Sequence, residues 1–263
     1  KNIKKMMSKM TLKKKLKNNK TSLGCWLTIS NPLIPEILAP AGFDWFCIDI
    51  EHTSIDLNEL LPLIISIENQ KITPLIRVGE NNPNLIKRVM DIGAHGIIVP
   101  NVNSAEEAIQ AVKSVKYPPS GFRGVGLYRA QGYGRNFSDY LRWLKKESIV
   151  IVQIENIKAV ENIDEIFSVK GIDAFLIGPY DLSGSINKPG NFDDDKFKKM
   201  INKILKSAKK YNIPAGFHSV SSDPNEAIKS LNKGYKFLAF SLDSILLQNA
   251  AVNALEKIKK SID

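Results

Sequence analysis

Charged side chains stand at the ends of several short apolar runs of the sequence: Asp49, His52, Arg77, Glu155 and Asp181. A charged group at the end of an apolar run is costly to bury unless it serves a partner or a ligand. Because the pattern recurs on several runs, we expect these side chains to converge on one site.

Glu155 and Asp181 have the chemistry of metal ligands. Carboxylate oxygens are hard donors, and two of them together with waters suit Mg²⁺ or Mn²⁺ and leave positions for a substrate. Each residue alone is more simply explained as a cap of the helix that follows it. The presence of both favours a divalent-metal site, for which Co²⁺ is a further candidate.

His52 and Arg77 offer acid–base chemistry and anion binding. A histidine beside carboxylates can act as a general acid or base, and the alternative is a histidine that hydrogen-bonds a loop backbone. Arg77 lies inside the run TPLIRV, and a buried arginine needs an anion such as an enolate, a carboxylate or a phosphate. A structural ion pair with Asp49 or Glu51 is compatible with that role.

Eight short apolar runs alternate with longer amphipathic stretches. We expect strands near 23–29, 44–50, 73–78, 96–99, 149–154, 172–177, 213–217 and 236–241. The runs are continuously apolar, as in a parallel sheet covered on both faces. Eight strand–helix units in roughly 250 residues predict a (β/α)8 TIM barrel of the α/β class. A doubly wound sheet is the alternative, but no GxGxxG or GxxxxGK[ST] follows a strand.

Helices are expected near 33–40, 57–69, 83–92, 104–116, 138–147, 156–168, 194–211, 223–233 and 242–261. The segment 117–147 interrupts the alternation and is rich in glycine. We interpret it as a long insertion in one βα connection, with Arg123, Arg129 and Arg135 on a flexible loop over the site, because long excursions in compact domains are usually functional.

The active site of a TIM barrel lies at the carboxyl ends of its strands. His218 is expected at that end, without a partner in the sequence. His95 precedes the fourth strand at the opposite end, so we expect it to be structural.

The net charge of +10 is concentrated at the amino terminus. Residues 1–20 hold nine of the 37 basic residues and no acidic one, which leaves 28 basic against 27 acidic residues. Because the remainder is nearly neutral, we expect no nucleic-acid binding. We divide the chain into a solvated basic tail, 1–20, and a single barrel domain, 21–263.

Cys25 and Cys47 lie in apolar strand-like runs, and their spacing matches no zinc motif. Buried thiols without a signal-peptide pattern indicate a reducing, cytoplasmic compartment. No apolar run reaches the ~18 residues needed to span a bilayer, so no membrane partner is expected.

The chain resembles the HpcH/HpaI aldolases, which are class II pyruvate aldolases that include 4-hydroxy-2-oxoheptanedioate and 2-keto-3-deoxy-sugar-acid aldolases. The resemblance rests on the segments AGFDWFCIDIEH (41–52), PLIRV (74–78), DIGAHGIIVPNV (91–102), YPPSGFRGVG (117–126), VQIEN (152–156) and GIDAFLIGPYDLS (171–183). It covers most of the chain, and it is specific for the family rather than for a substrate.

The resemblance implies a role for each matching residue. Glu155 and Asp181 match the divalent-metal ligands. His52, in the DxEH motif that begins with Asp49, matches the general acid or base, and Arg77 matches the arginine that stabilises the enolate.

Three further positions gain a role from the resemblance alone. Asp91 matches an aspartate that raises the basicity of the histidine. Gln153 and the pair Tyr180–Asp181 match positions that hold the pyruvate moiety. Family members commonly form homohexamers with a swapped last helix.

The implied reaction is the reversible cleavage of a 4-hydroxy-2-oxo acid to pyruvate and an aldehyde through a metal-stabilised enolate. No lysine ends a predicted strand, which argues against a Schiff-base mechanism. Tyr180 departs from the small residue frequent at its position, and we expect its ring to narrow or restructure the site. The polar segments 127–135 and 218–221 favour a hydroxylated or acidic aldehyde. The alternatives are an oxaloacetate decarboxylase or enolate-condensing enzyme on the same site, and a non-catalytic binding protein.

Overall fold

Eight parallel strands, hydrogen-bonded in sequence order, close into a barrel in this computed structural model, which describes residues 10–262. The strands are β1 Ser22–Leu27, β2 Trp45–Asp49, β3 Thr73–Arg77, β4 Gly96–Val99, β5 Ile149–Ile154, β6 Ala174–Ile177, β7 Ala215–Ser219 and β8 Phe237–Leu242. The predicted (β/α)8 barrel is confirmed, and each predicted strand overlaps an observed one.

The helices are α1 Leu12–Lys17, α2 Leu33–Leu38, α3 Leu57–Asn69, α4 Pro83–Ile92, α5 Ala105–Val115, α6 Phe137–Glu147, α7 Ile157–Glu161, α8 Ile163–Ser168, α9 Pro179–Gly184, α10 Asp195–Tyr211, α11 Pro224–Asn232 and α12 Asp243–Lys259. The stretch 156–168, predicted as one helix, is divided at Asn162 between α7 and α8. Within residues 10–262, no helix has the length and apolar character that a bilayer crossing requires.

Large aromatic side chains fill the amino-terminal half of the barrel interior. Trp45 of β2 stacks on Phe237 of β8 with ring centroids 4.2 Å apart. A Cβ on Gly24 of β1 would lie 2.0 Å from the Trp45 ring, so only glycine fits beside it. The interior is therefore a packed core at this end rather than a channel.

The first helix closes the amino-terminal mouth of the barrel. Leu12 and Leu16 are buried in the interior cluster that contains Trp45 and Phe237. Lys15 pairs with Asp44 at 2.8 Å, at the start of β2. The expectation of a solvated tail is therefore wrong for α1, because alternate sides of this short helix carry leucines and lysines. Residues 1–9 of the predicted tail lie outside the described residues.

The long segment 117–147 follows α5 and precedes β5, so it is an αβ connection. The prediction of an inserted βα loop over the site is wrong. Connections from helix to strand lie at the amino-terminal face of a parallel barrel, opposite the active-site end. Arg129 accordingly pairs with Glu68 at that face, where His95 also contacts Glu68 at 3.0 Å.

We predict that Leu16→Ala lowers the free energy of unfolding by about 2–5 kcal/mol, because it opens a cavity in a fully packed interior. Urea unfolding of the full chain measures the change. Lys14→Ala, on the exposed side of the same helix, is the matched control and should change little. Equal stability of the Leu16→Ala variant and the parent would contradict the packing of α1.

Candidate active site

Four side chains from the odd-numbered strands form a layer at the carboxyl end of the barrel: Trp26, Arg77, Gln153 and His218. They line a cavity of about 1220 Å³ that opens at this end and continues between α10 and α11. In a TIM barrel alternate strands contribute such layers, and this one is polar where the layers below are apolar. We call these four residues the floor layer.

Arg77 is held from three sides. Its Nε and Nη2 atoms donate to the two carboxylate oxygens of Asp49 at 2.9 and 2.6 Å. Its Nη1 atom lies 3.1 Å from Glu51, and its guanidinium lies 4.4 Å from the centre of the Trp26 ring. Bidentate pairing and ring stacking fix the plane of the guanidinium. The sequence-based expectation of an ion pair with Asp49 or Glu51 describes this geometry.

His52 stands on the loop that Asp49 organises. The backbone N–H groups of Glu51 and His52 donate to Asp49 Oδ1 at 3.1 and 3.4 Å. The His52 side chain is 67% exposed at the cavity mouth, and its Nε2 lies 3.8 Å from Glu51 Oε2. The imidazole is thus free to meet a bound molecule, with a carboxylate beside it.

Glu155 is buried behind the cavity wall. Its Oε1 accepts from the backbone N–H of Asn101 at 2.6 Å, and its Oε2 accepts from the Gln153 side chain. A Cβ on Gly178 would lie 2.6 Å from Oε2, so glycine is required where β6 ends beside this carboxylate. The pKa of Glu155 is raised to about 7, chiefly by burial and further by the negative charges of Glu51 and Asp181.

The alternative of helix capping does not hold for either predicted ligand. Asn156 is the N-cap of α7, so Glu155 does not cap that helix. Gly178 is the N-cap of α9, and Asp181 lies inside its first turn. The Asp181 carboxylate is exposed and lines the cavity.

Tyr180 does not narrow the floor of the cavity. Its ring is 60% exposed and packs edge-on against Phe192 with centroids 5.1 Å apart. It contributes to the rim, on the side of α9 and α10.

The acidic groups fit a divalent cation. Glu51, Glu155 and Asp181 repel one another, and burial also raises the pKa of Glu51. A cation among them would relieve this repulsion. Within residues 10–262, no three histidine, cysteine or acidic side chains lie together as a set that could hold a metal ion. With Glu155 and Asp181 alone as protein ligands, a cation here would keep its remaining positions for water and substrate.

Asp91 is not brought to His52 within the chain. It lies near the carboxyl end of α4, which is the amino-terminal face of the barrel, and its carboxylate pairs with Arg123. Arg123 is itself buried between the rings of Tyr117 and Tyr140. In the described chain Asp91 anchors the αβ connection, and the prediction that it acts on the histidine gains no support from this geometry.

The structure adds Trp26 to the site and gives Glu51 and His218 contacts that sequence reasoning did not assign. The ring of Trp26 stacks on the guanidinium of Arg77. Glu51 contacts both Arg77 and His52, and His218 is the fourth residue of the floor layer. The DxEH spacing could have indicated Glu51. Trp26 carried no signal, because an aromatic residue in an apolar strand predicts core.

The sequence of the chain is similar to those of known proteins over most of its length. The model of the HpcH/HpaI aldolase/citrate lyase family matches residues 22–250. The chain is 34% identical over 243 residues to a 5-keto-4-deoxy-D-glucarate aldolase of Klebsiella pneumoniae. The aligned region covers 92% of this chain and 94% of that protein.

Solved structures agree with the sequence comparison. The HpcH/HpaI aldolase of Desulfitobacterium hafniense superimposes with a TM-score of 0.86 at 32% identity, covering 95% of this chain and 97% of the other. The citrate synthase SbnG superimposes with a TM-score of 0.83 at 26% identity, covering 96% and 99%. The resemblance found in the motifs is confirmed: the chain belongs to the HpcH/HpaI aldolase/citrate lyase family and is a carbon–carbon lyase.

Proposed function

We propose that this enzyme catalyses the reversible, divalent-metal-dependent cleavage of a 4-hydroxy-2-oxo acid to pyruvate and an aldehyde. The observation that carries the proposal is a pair of carboxylates that cap no helix, Glu155 and Asp181, at the same end of the barrel as Arg77, which three side chains hold. Acidic groups and a fixed cationic fork on one cavity suit the charge changes of enolate chemistry.

Glu155 and Asp181 would hold the metal, and Mg²⁺, Mn²⁺ and Co²⁺ are the candidate ions. When bound, a divalent ion supplies positive charge that stabilises an enolate oxygen. Gln153 donates to Glu155 and so fixes the orientation of that carboxylate. Its Oε1 is buried without a hydrogen-bond partner among the described side chains, which leaves it free to accept from a bound molecule.

Arg77 would stabilise the enolate directly. A guanidinium has five N–H groups, and two of them bind Asp49. Others remain to donate to a substrate oxygen as negative charge develops on it. Asp49 positions the arginine and the loop of His52, so we assign it a positioning role.

His52 would move the proton of the 4-hydroxyl group. It is exposed at the mouth of the cavity, with Glu51 beside it to stabilise the charged imidazolium. Cleavage of the C3–C4 bond requires removal of that proton, and the reverse condensation requires its return.

The side chains that line the outer part of the cavity favour a hydroxylated, acidic aldehyde as the second product. Polar side chains line the cavity in the first half of α10 and in the loop after β7: Lys198, Asn202 and Ser221. The Klebsiella relative carries the name of an aldolase for a sugar-derived acid, 5-keto-4-deoxy-D-glucarate. We propose a substrate of the same chemical class.

An enolate-condensing reaction is the second candidate. The citrate synthase SbnG shares the fold at 26% identity over nearly the whole chain. A condensation and an aldol cleavage both pass through an enolate, so both would use the same metal ligands and Arg77. They differ in the acceptor that the outer part of the cavity must bind. Release of pyruvate and an aldehyde from a 4-hydroxy-2-oxo acid identifies aldol cleavage, and release of pyruvate and CO2 from oxaloacetate identifies decarboxylation. A condensing enzyme shows neither.

We also infer that the enzyme is a homo-oligomer. Helix α12 buries only its first residue, Asp243, against the barrel. Leu247, Val252, Leu255 and Ile258 are all exposed along it. An apolar helix surface of this length favours association with another subunit.

Glu155→Gln and Asp181→Asn should each lower kcat/KM for pyruvate formation by about 100-fold or more, because each removes a charged oxygen ligand. The effect is measured as the steady-state release of pyruvate from a 4-hydroxy-2-oxo acid, with Mg²⁺, Mn²⁺ or Co²⁺ and with EDTA. Glu161→Gln, an exposed change on α7, is the control. Wild-type turnover that survives EDTA would refute the metal requirement.

The buried carboxylate predicts an unusual pH dependence of stability. Glu155 has a pKa of about 7 in the folded chain against an ordinary value of 4.5. Between these values the folded state holds a proton that the unfolded state has released, so stability falls as pH rises and stays reduced above pH 7. With EDTA at pH 8, Glu155→Gln should therefore melt at a higher temperature than the wild type.

Thermal unfolding of both proteins between pH 4.5 and 8 tests this expectation. The difference in Tm should shrink towards pH 4.5, where Glu155 is protonated in the folded wild type and half protonated in the unfolded one. Glu165→Gln, exposed on α8, should show no such trend. A difference independent of pH would contradict the assignment to Glu155.

Arg77→Lys should lower the rate of enolate formation by roughly 100-fold, since an ammonium cannot reproduce the fork held by Asp49. Incorporation of solvent deuterium at C3 of pyruvate, followed by NMR, isolates this half-reaction from aldehyde binding. Arg88→Lys, exposed on α4, should exchange at the wild-type rate. Wild-type exchange by Arg77→Lys would exclude the assigned role.

A further inference from the structure

His218 belongs to the floor layer, yet the proposed mechanism gives it no task. It lies near the carboxyl end of β7, between β6 and β8, and it lines the cavity. Its ring lies 5.2 Å from the Trp26 ring, which also carries Arg77. An imidazole here is more costly to bury than an aliphatic side chain of similar size.

The imidazole is neutral at physiological pH. Burial and the nearby positive charge of Arg77 hold the pKa of His218 at about 4, against the raising effects of Ser241 and Asp49. A neutral imidazole has one N–H donor and one acceptor nitrogen. His218 therefore offers hydrogen bonds without adding a charge to the floor of the cavity.

The contacts of the ring decide which nitrogen is the acceptor. Nε2 lies 3.4 Å from the backbone carbonyl oxygen of Ser241. Because a carbonyl oxygen only accepts, Nε2 carries the hydrogen, and we assign the tautomer on this ground. Nδ1 is then an acceptor, and no described residue donates a hydrogen bond to it.

The neighbouring Trp26 ring does not supply a donor for Nδ1. The indole Nε1–H of Trp26 is buried and has no acceptor among the described residues. The hydrogen that Nδ1 accepts must therefore come from a molecule in the cavity that His218 lines, and a substrate hydroxyl group is such a donor. A methyl or methylene group placed against the ring would displace water and leave Nδ1 without a donor, which is unfavourable.

We propose that His218 is a specificity-determining residue that accepts a hydrogen bond from a hydroxyl substituent of the substrate. This inference rests on the proposed aldolase function and deepens it. The hydroxyl belongs either to the three-carbon nucleophile, which is then hydroxypyruvate rather than pyruvate, or to the carbon next to the aldehyde. Both sources present the same chemistry to the floor layer, and a panel of donors and acceptors distinguishes them.

The test is the aldol addition run with two nucleophiles and two acceptors in every combination, with saturating Mn²⁺. The nucleophiles are pyruvate and hydroxypyruvate, and the acceptors are propanal and 2-hydroxypropanal. In the wild type we expect one hydroxylated partner to be preferred by about tenfold or more in kcat/KM. His218→Leu should reduce that preference by about tenfold, and the partner whose preference falls identifies the source.

Two further variants separate specificity from structure. His218→Asn keeps a hydrogen-bonding side chain and should retain a larger part of the preference than His218→Leu. His95→Gln changes a histidine at the opposite face of the barrel and should keep the wild-type preference. If His218→Leu does not fold, the comparison of His218→Asn with the wild type measures the same ratio.

The outcomes are distinct for the two proposals. A wild type that adds neither nucleophile to either acceptor, with any of the three metals, overturns the proposed function and this inference with it. A wild type that turns over but shows no preference, or a preference that His218→Leu and His218→Asn both leave unchanged, overturns only the role of His218.

Discussion

The bidentate ion pair between Arg77 and Asp49 is the interaction on which the candidate site depends. It joins the carboxyl ends of β2 and β3; Asp49 is buried, and Arg77 is largely buried with one side facing the cavity. A buried charge without its partner would be strongly destabilising, so neither residue can be removed without disturbing the other. Asp49 uses its remaining capacity on the N–H groups of the next loop, which carries Glu51 and His52. One carboxylate thus orients Arg77 and the loop of His52 together.

A second constraint is the unfavourable burial of negative charge on the other side of the cavity. Glu155 is surrounded by protein, and two further carboxylates raise its pKa. Such a cluster is unfavourable in the isolated chain and becomes favourable when a cation is bound, which is how functional sites commonly differ from the rest of a fold. The close approach of Gly178 shows that the backbone is built around this carboxylate.

The two faces of the barrel have separate tasks. The amino-terminal face holds stabilising contacts: the leucines of α1 inside the barrel, and the pairs of Asp91 with Arg123 and of Glu68 with Arg129. The carboxyl-terminal face holds the floor layer and the carboxylates. Parallel strands place every strand-to-helix loop on one face and every helix-to-strand loop on the other, which explains why the arginines of the segment 117–147 lie away from the cavity of their own chain.

The amino-acid sequence by itself determined the barrel and most of the residues on its rim. Continuous apolar runs mark strands buried on both sides, and a parallel barrel sends the polar residues that follow them to one end, so His52, Arg77, Gln153 and Asp181 could all be placed there in advance. Tertiary structure alone decided what depends on contacts between distant segments. Periodicity reports which face of an element is apolar and carries no information on what packs against it. For that reason the burial of α1, the pairing of Asp91 with Arg123, and the approach of His218 to Trp26 appeared only in the folded chain.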